Sequence, residues 1–167
     1  MAAGKRSQVG AIEATALVPA ECETVFEFLS DLGNHWRLAR SFIDVIELDG
    51  GRPGGTPDSA TVRMRGPLGL SRMARTKVTA ARAPRLMIGT AEVGSRTRAR
   101  VSWTLARRLN ETRVRLSAEV DGAGRIDRAM LALGGRRWLE RRFADTLAAL
   151  ADELRAAASR EPEQVVS

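Results

Sequence analysis

The C-terminal third of the chain carries one apolar stripe at helical spacing, and the stripe is interrupted. Its members recur at steps of three, four or eight residues, so they share one face of a helix that we predict over residues 124–159. Where a side chain would complete the stripe the sequence has Gly135, preceded by Gly134. Each glycine inside a helix costs roughly 1 kcal/mol relative to alanine. The stripe consists of Leu131, Leu139, Phe143, Leu147, Leu150 and Leu154.

Two adjacent glycines on the core-facing side of a helix have two interpretations. The first is that they mark a kink or a close backbone contact. The second is that the missing side chains leave a cavity. The sequence leaves both open.

The sequence upstream of this helix has the period of two that is typical of strands. A first strand is predicted over residues 9–18, followed by short helices over 20–30 and around 35–40. Because contiguous strands with short turns pair antiparallel, we predict an α+β fold. In it, a curved antiparallel sheet of about seven strands packs one apolar face on the long helix and carries arginines on the other. The six later strands are predicted at 42–49, 59–65, 72–80, 86–93, 97–109 and 112–120.

Length and composition predict one domain over residues 8–157, with flexible tails at 1–7 and 158–167. No apolar run approaches the roughly 18 residues that a membrane span needs. The N-terminal residues show no apolar signal-peptide region. Cys22 is the single cysteine and cannot form an intramolecular disulfide. We therefore expect a cytoplasmic protein.

The formal net charge of +7 raises the question of a nucleic-acid partner. Nearly all of the cations are arginines, the chain has no tyrosine to stack on bases, and no helix-turn-helix, zinc-finger or RRM signature is present. We therefore expect a solvated basic surface and no nucleic-acid partner. Such a surface is compatible with weak association with an anionic membrane.

Several short motifs, in the order in which they occur, resemble the SRPBCC superfamily, also called START-like or Bet v 1-like. The resemblance extends over about residues 9–155, and within the superfamily the chain is similar to the bacterial polyketide cyclase/dehydrase and lipid-transport-like group. The motifs are the Val-Pro-Ala start and Val-Phe pair of residues 18–31, Trp36, the Val-Ser-Trp-Thr-Leu of 101–105, the Thr-Arg-Val of 112–114, and the helix containing Gly134, Gly135 and Trp138.

The resemblance implies a helix-grip fold that encloses a hydrophobic cavity between sheet and long helix. The expected function is binding or transport of a hydrophobic small molecule, such as a lipid, a polyketide or a quinone-like compound, with no cofactor. The alternative is a polyketide aromatase/cyclase, and a third reading is an interaction module that uses the basic surface.

We predict that the ligand-binding residues are those that point into this cavity or flank the glycine pair. Each is also compatible with ordinary core packing, and methionine adapts to varied apolar surfaces. The predicted set is Trp36, Met64, Trp103, Leu116, Met130, Leu131, Gly134 and Gly135.

His35 and Arg72 are weak candidates for catalysis. His35, the only histidine, could move a proton near the cavity mouth, although a surface or capping role is the alternative. Arg72 shares its strand parity with Val78 and would need a partner inside, such as a ligand carboxylate or a polyketide oxygen. So few polar groups favour binding over catalysis. No metal site is expected, because Cys22 has no companions at ligand spacing.

Overall fold

The computed structural model describes residues 10–50 and 57–160. The predicted N-terminal tail, residues 161–167 of the predicted C-terminal tail and most of the turn between the second and third strands lie outside the described residues.

A seven-stranded antiparallel sheet is the largest part of the fold. Its strands are β1 (Ile12–Val18), β2 (Ile43–Asp49), β3 (Ser59–Arg65), β4 (Ser71–Arg82), β5 (Leu86–Val93), β6 (Thr97–Arg108) and β7 (Glu111–Gly122). The strand order is β1-β7-β6-β5-β4-β3-β2. The last six strands therefore form a meander, and β1 pairs with β7 with Ile12 opposite Ala118.

Two short helices, α1 (Cys22–Ser30) and α2 (Leu32–Leu38), connect β1 to β2. The prediction placed α2 around residues 35–40, which was wrong by about one turn. Gly33 and Asn34 are turn formers, but the Asp31 side chain accepts a hydrogen bond from the Gly33 N–H at 2.9 Å. This cap satisfies a free donor at the helix start, so α2 begins at Leu32.

The C-terminal helix is interrupted once. It consists of α3 (Arg125–Met130), a widened turn at Leu131–Gly135, and α4 (Arg136–Arg160). Gly134 has φ 110° and ψ −4°, a conformation that L-residues with a side chain rarely adopt. The kink interpretation of the glycine pair is therefore correct. Because α4 continues to Arg160, residues 158–160 are helical rather than part of a tail.

The architecture confirms the predicted helix-grip fold: an antiparallel sheet, two short helices after the first strand and a long C-terminal helix. No helix in the described ranges is long and apolar enough to span a membrane.

The buried apolar residues form two clusters rather than one. The larger cluster joins α1, β6, β7 and the second half of α4, and includes Val25, Leu105, Val114, Leu147 and Leu150. The smaller cluster joins the start of α2 to β3 and β4. The first half of α4 contributes no buried residue before Thr146.

Candidate functional site

An apolar cavity of about 270 Å³ lies between the inner face of the sheet and the segment from α3 to the first half of α4. Its wall is formed by inward side chains of the sheet, by α2, by the β3–β4 turn and by the C-terminal helix. Residues from these parts include Ile12, His35, Trp36, Phe42, Val62, Met64, Pro67, Leu70, Arg72, Val101, Trp103, Leu116, Asp127, Met130, Leu131, Gly135, Trp138, Leu139 and Phe143.

The cavity exists because the inner face of the sheet changes from large to small side chains along its strands. At one end of β6 and β7, Trp103, Leu105, Val114 and Leu116 are buried in or beside the larger core cluster. Toward the other end many inward positions are alanines and threonines, interspersed with valines such as Val101 and Val120, and the small residues leave space beneath the helix. These small lining residues are Ala74, Thr76, Ala91, Thr97, Ala99 and Ala118.

The two glycines of the helix have different roles. Gly135 lines the cavity, and a Cβ on it would lie 2.7 Å from the Met130 carbonyl oxygen, so the backbone itself passes too close for a side chain. Gly134 is not part of the cavity wall, and a Cβ there would meet nothing within 4 Å. The predicted contact of Gly134 with a ligand therefore has no support from the cavity wall.

Aromatic rings occupy two sides of the wall. The Trp103 ring centroid lies 5.3 Å from that of His35, and Trp36 lies 6.4 Å from the same imidazole. Trp138, on α4, packs edge-on against Phe42 with centroids 5.8 Å apart. The Trp36 Nε1–H is buried and has no hydrogen-bond partner among the described residues. These contacts hold α2 and the segment before β2 against the cavity.

His35 caps the preceding helix. Its Nε2 lies 2.5 Å from the Leu29 carbonyl oxygen, and the neighbouring Asn34 side chain donates to the Phe28 carbonyl at 2.8 Å. Both acceptors belong to the last turn of α1, whose carbonyls lack partners within the helix. The capping alternative is therefore correct, and the surface alternative is wrong because the ring lines the cavity.

Burial lowers the pKa of His35 below its ordinary value, because the surrounding protein disfavours the charged imidazolium. The hydrogen bond to Leu29 and the charge of Asp31 act in the opposite direction but are weaker. The ring is thus neutral at pH 7 and carries its proton on Nε2, the nitrogen that faces an acceptor.

A polar cluster joins α3 to the sheet at the cavity wall. The Arg72 guanidinium lies 3.1 Å from Asp127 Oδ1, and the Thr97 hydroxyl donates a short hydrogen bond to Asp127 Oδ2. The Gly124 N–H donates in turn to the Thr97 hydroxyl at 3.2 Å. Arg72 does point inward, as predicted, but its partner belongs to the protein.

Sequence reasoning missed Asp127 and Thr97. A signal in the sequence could have found Asp127, because an arginine that points inward needs an acceptor. Asp127 is the one acidic residue in the first turn of α3. Trp138 was also missed as a wall residue, because it lies off the main apolar stripe.

The family described as "Polyketide cyclase / dehydrase and lipid transport" matches residues 10–155. The chain belongs to this family. No curated protein matches the sequence at a significant level.

Solved structures share the fold of the present protein at low sequence identity. A START superfamily protein from Mycobacterium smegmatis is 16% identical with a TM-score of 0.67, over 86% of this chain and 98% of its own. A Thermus thermophilus protein is 16% identical with a TM-score of 0.64, over 89% and 99% of the two chains. A Rhodobacter sphaeroides protein is 21% identical with a TM-score of 0.58, over 87% and 92%. Such likeness shows the fold alone, which is START-like.

Membership in the polyketide cyclase/dehydrase and lipid-transport family supports binding of a hydrophobic ligand in general. All predicted ligand residues except Gly134 lie on the cavity wall, together with His35 and Arg72. Their contact with a ligand stays a prediction.

Proposed function

We propose that the protein binds a hydrophobic small molecule, or the apolar end of one, in the cavity between sheet and helix. The observation that supports this most directly is the cavity of about 270 Å³, which is partly open to the surface and has a largely apolar and aromatic wall. Concave apolar pockets with a few polar groups are the usual form of small-molecule sites.

The volume restricts the class of ligand. An apolar cavity of about 150 Å³ takes up benzene, so a cavity of this size encloses roughly eleven non-hydrogen atoms. That is a two-ring system or one end of a chain. A quinone-like ring or a short acyl segment fits within this volume, whereas the rest of a lipid or polyketide chain would extend through the open side of the cavity.

The polar groups of the wall favour binding over turnover. His35 Nε2 is bonded to the Leu29 carbonyl, and Arg72 is paired with Asp127. A proton-transferring group must reach the substrate, and an arginine that stabilises an enolate must be free to approach it. An aromatase/cyclase is the alternative, since both side chains lie on the cavity wall.

A cavity-filling variant tests the binding site. Ala99 lines the cavity from β6, whereas Ala106 lies on the exposed face of the same strand. We expect Ala99→Leu to raise the dissociation constant of 1-aminonaphthalene, an uncharged fluorescent probe of the enclosed size, by about tenfold or more. The matched control Ala106→Leu should leave it within about threefold. Equal affinity in the two folded variants would place the binding site elsewhere.

The nature of the ligand and the enzyme alternative need separate measurements. Native mass spectrometry of the purified protein, followed by organic extraction, identifies a co-purifying apolar compound. Incubation with a poly-β-ketone substrate tests catalysis, and we expect no cyclised product. Cyclisation that Arg72→Gln or His35→Ala abolishes, with the fold intact, would establish the enzyme instead.

A further inference from the structure

The imidazole of His35 has two ring nitrogens, and the fold uses one of them. Nε2 lies 2.5 Å from the Leu29 carbonyl oxygen, which can only accept, so Nε2 carries the proton. Because burial lowers the pKa of this histidine, Nδ1 keeps its lone pair near neutral pH and is a weak base. No residue in the described ranges forms a hydrogen bond with Nδ1. The ring lines the cavity, so its wall includes an acceptor without a donor.

The shape of the imidazole ring directs Nδ1 away from α1. The two nitrogens lie on nearly opposite sides of the ring, and Nε2 faces the last turn of α1. The ring also lies beside Trp103, a wall residue, with the two centroids 5.3 Å apart. Nδ1 is therefore on the side of the ring that faces the cavity. The Trp36 Nε1–H also lacks a partner in the described structure, but that atom is buried and out of reach of a ligand.

Other polar groups of the wall are bonded within the protein or reach solvent. Asp127 pairs with Arg72 and accepts from the Thr97 hydroxyl, and the Thr146 hydroxyl donates to a carbonyl of its own helix. Arg72 has further N–H donors, but its side chain is 37% exposed, so water can satisfy them. A ligand group therefore adds most at His35 Nδ1, where an acceptor removed from bulk water lacks a partner.

We propose that the ligand of the cavity is a hydroxylated aromatic compound whose O–H donates a hydrogen bond to His35 Nδ1. This inference rests on the proposed function, because it names the ligand class of the same site. The rings of Trp36, Trp103 and Phe42 on the wall favour an aromatic body, and the volume of about 270 Å³ limits that body to about two rings. A lone pair on the wall attracts a donor and repels another acceptor, so a phenol is preferred over a quinone of the same size.

Two probes of nearly the same shape test the hydroxyl contact. 1-Naphthol has an O–H where 1-methylnaphthalene has a methyl group. We expect His35→Leu to lower the preference for 1-naphthol over 1-methylnaphthalene by about tenfold or more, the worth of one hydrogen bond to an otherwise unpaired acceptor. Dissociation constants from calorimetric titration of the full chain give this preference. Comparing two probes in two proteins isolates the contact, because effects common to both probes cancel.

Asn34→Leu is the matched control. The Asn34 side chain donates to the Phe28 carbonyl at 2.8 Å, in the same last turn of α1, and it does not belong to the cavity wall of the described structure. The substitution therefore removes a helix cap similar to that of His35 but no wall group. We expect the preference for 1-naphthol to stay within about twofold of the wild type. An equal fall in the two variants would make His35 a structural cap only and overturn the proposal.

NMR of the ring nitrogens reports on the contact in the wild type and does not depend on the folding of a variant. His35 is the only histidine of the chain, so its Nδ1 and Nε2 signals are assigned without ambiguity. We expect 1-naphthol to move the Nδ1 signal toward that of a hydrogen-bonded nitrogen while Nε2 stays protonated, and 1-methylnaphthalene to move it much less. A proton on Nδ1 in the free protein, or an Nδ1 signal that responds equally to both probes, would overturn the proposal.

The two proposals fail in different ways. A wild type that binds neither naphthalene would reject the proposed function, and the ligand class with it. A wild type that binds both, with a preference that His35→Leu leaves unchanged, would keep the proposed function and reject the hydroxyl contact alone.

Discussion

At the scale of residues, individual small side chains determine where the cavity lies. Inward alanines such as Ala91 and Ala99 line the cavity where a leucine would fill it. Gly135 contributes in a different way, because it lets the α3–α4 backbone close on itself with the Met130 carbonyl 2.7 Å from the place of a Cβ. The cavity thus stays unfilled for two reasons: the side chains on the sheet are small, and the backbone of the helix leaves no room for a side chain at Gly135.

The close approach at Gly135 makes it intolerant of any side chain. We expect Gly135→Ala to lower the free energy of unfolding by about 1–3 kcal/mol, because the backbone must shift to admit the methyl group. Gly122→Ala is the control, since a Cβ at Gly122 meets nothing within 4 Å. Urea unfolding of both variants measures the difference, and equal stabilities would contradict the close approach.

His35 should give the fold a dependence on pH. Its pKa is lowered in the folded protein by burial, so the unfolded chain takes up the proton more readily. The destabilisation is absent above the ordinary pKa of about 6.5 and grows as the pH falls below it. Unfolding midpoints between pH 7.5 and 5.5, on the order of one unit either side of that value, should therefore fall more steeply for the wild type than for His35→Gln. Parallel pH profiles would show that this histidine is not responsible.

Residue patterns predicted the cavity wall well where the period was regular. Alternation in β6 and β7 assigned Trp103 and Leu116 to the inner face, where both are found on the wall. The pattern did not show that Gly134 lies off the cavity wall, because its positive φ is a property of the folded backbone that no periodicity encodes. Nor could it pair Arg72 with Asp127, which are distant in sequence and meet only when α3 crosses the sheet.

At the scale of elements, α3 is attached less firmly than α4. None of its residues is buried, and its side-chain contacts with the sheet include the ion pair and hydrogen bond of Asp127. The start of α4 is fixed by Arg136, which donates to the Gly10 and Ala11 carbonyls, and its second half is anchored in the larger core cluster. Local opening should therefore begin at α3.

Asp127→Asn tests this difference. Asparagine can still accept from Thr97 but loses the ion pair with Arg72. We expect amide hydrogens of residues 125–133 to exchange about tenfold faster, with little change in the global unfolding midpoint. Asp145→Asn removes an exposed ion pair with Arg142 within α4 and should leave α3 unaffected. Unchanged exchange in α3 would mean that Asp127 does not hold it.

Helices and strands were predicted correctly where residues close in sequence determine their bounds. The strands at 59–65 and 86–93 have the predicted bounds, because alternation and flanking turn residues define both ends. The C-terminal helix was predicted as one piece, since the stripe continues in phase on both sides of the glycines. Its division into α3 and α4 depends on the Gly134 conformation, which the periodicity of the flanking residues does not reveal.

For the molecule as a whole, the positive charge is spread over the outer face of the sheet and the exposed side of the C-terminal helix. Cations there alternate with carboxylates, as in the Arg98–Glu92 and Arg65–Asp44 pairs. We expect mixed-sequence DNA to bind weakly at about 50 mM salt and not measurably at about 200 mM, as a dispersed charge predicts. Fluorescence anisotropy of labelled DNA measures this. Tight binding that persists at the higher salt would contradict the expectation of a merely solvated surface.

The pairing of the first strand with the last has a consequence for synthesis on the ribosome. β1 is made before the other six strands of the sheet, but Ile12 pairs with Ala118, more than a hundred residues later. At a translation rate of about 5–20 residues per second, β7 is made roughly 5–20 s after β1. The meander from β2 onward can pair strand by strand as it emerges, whereas β1 can join the sheet only after β7 has been made, and α4 can cover the sheet only after that.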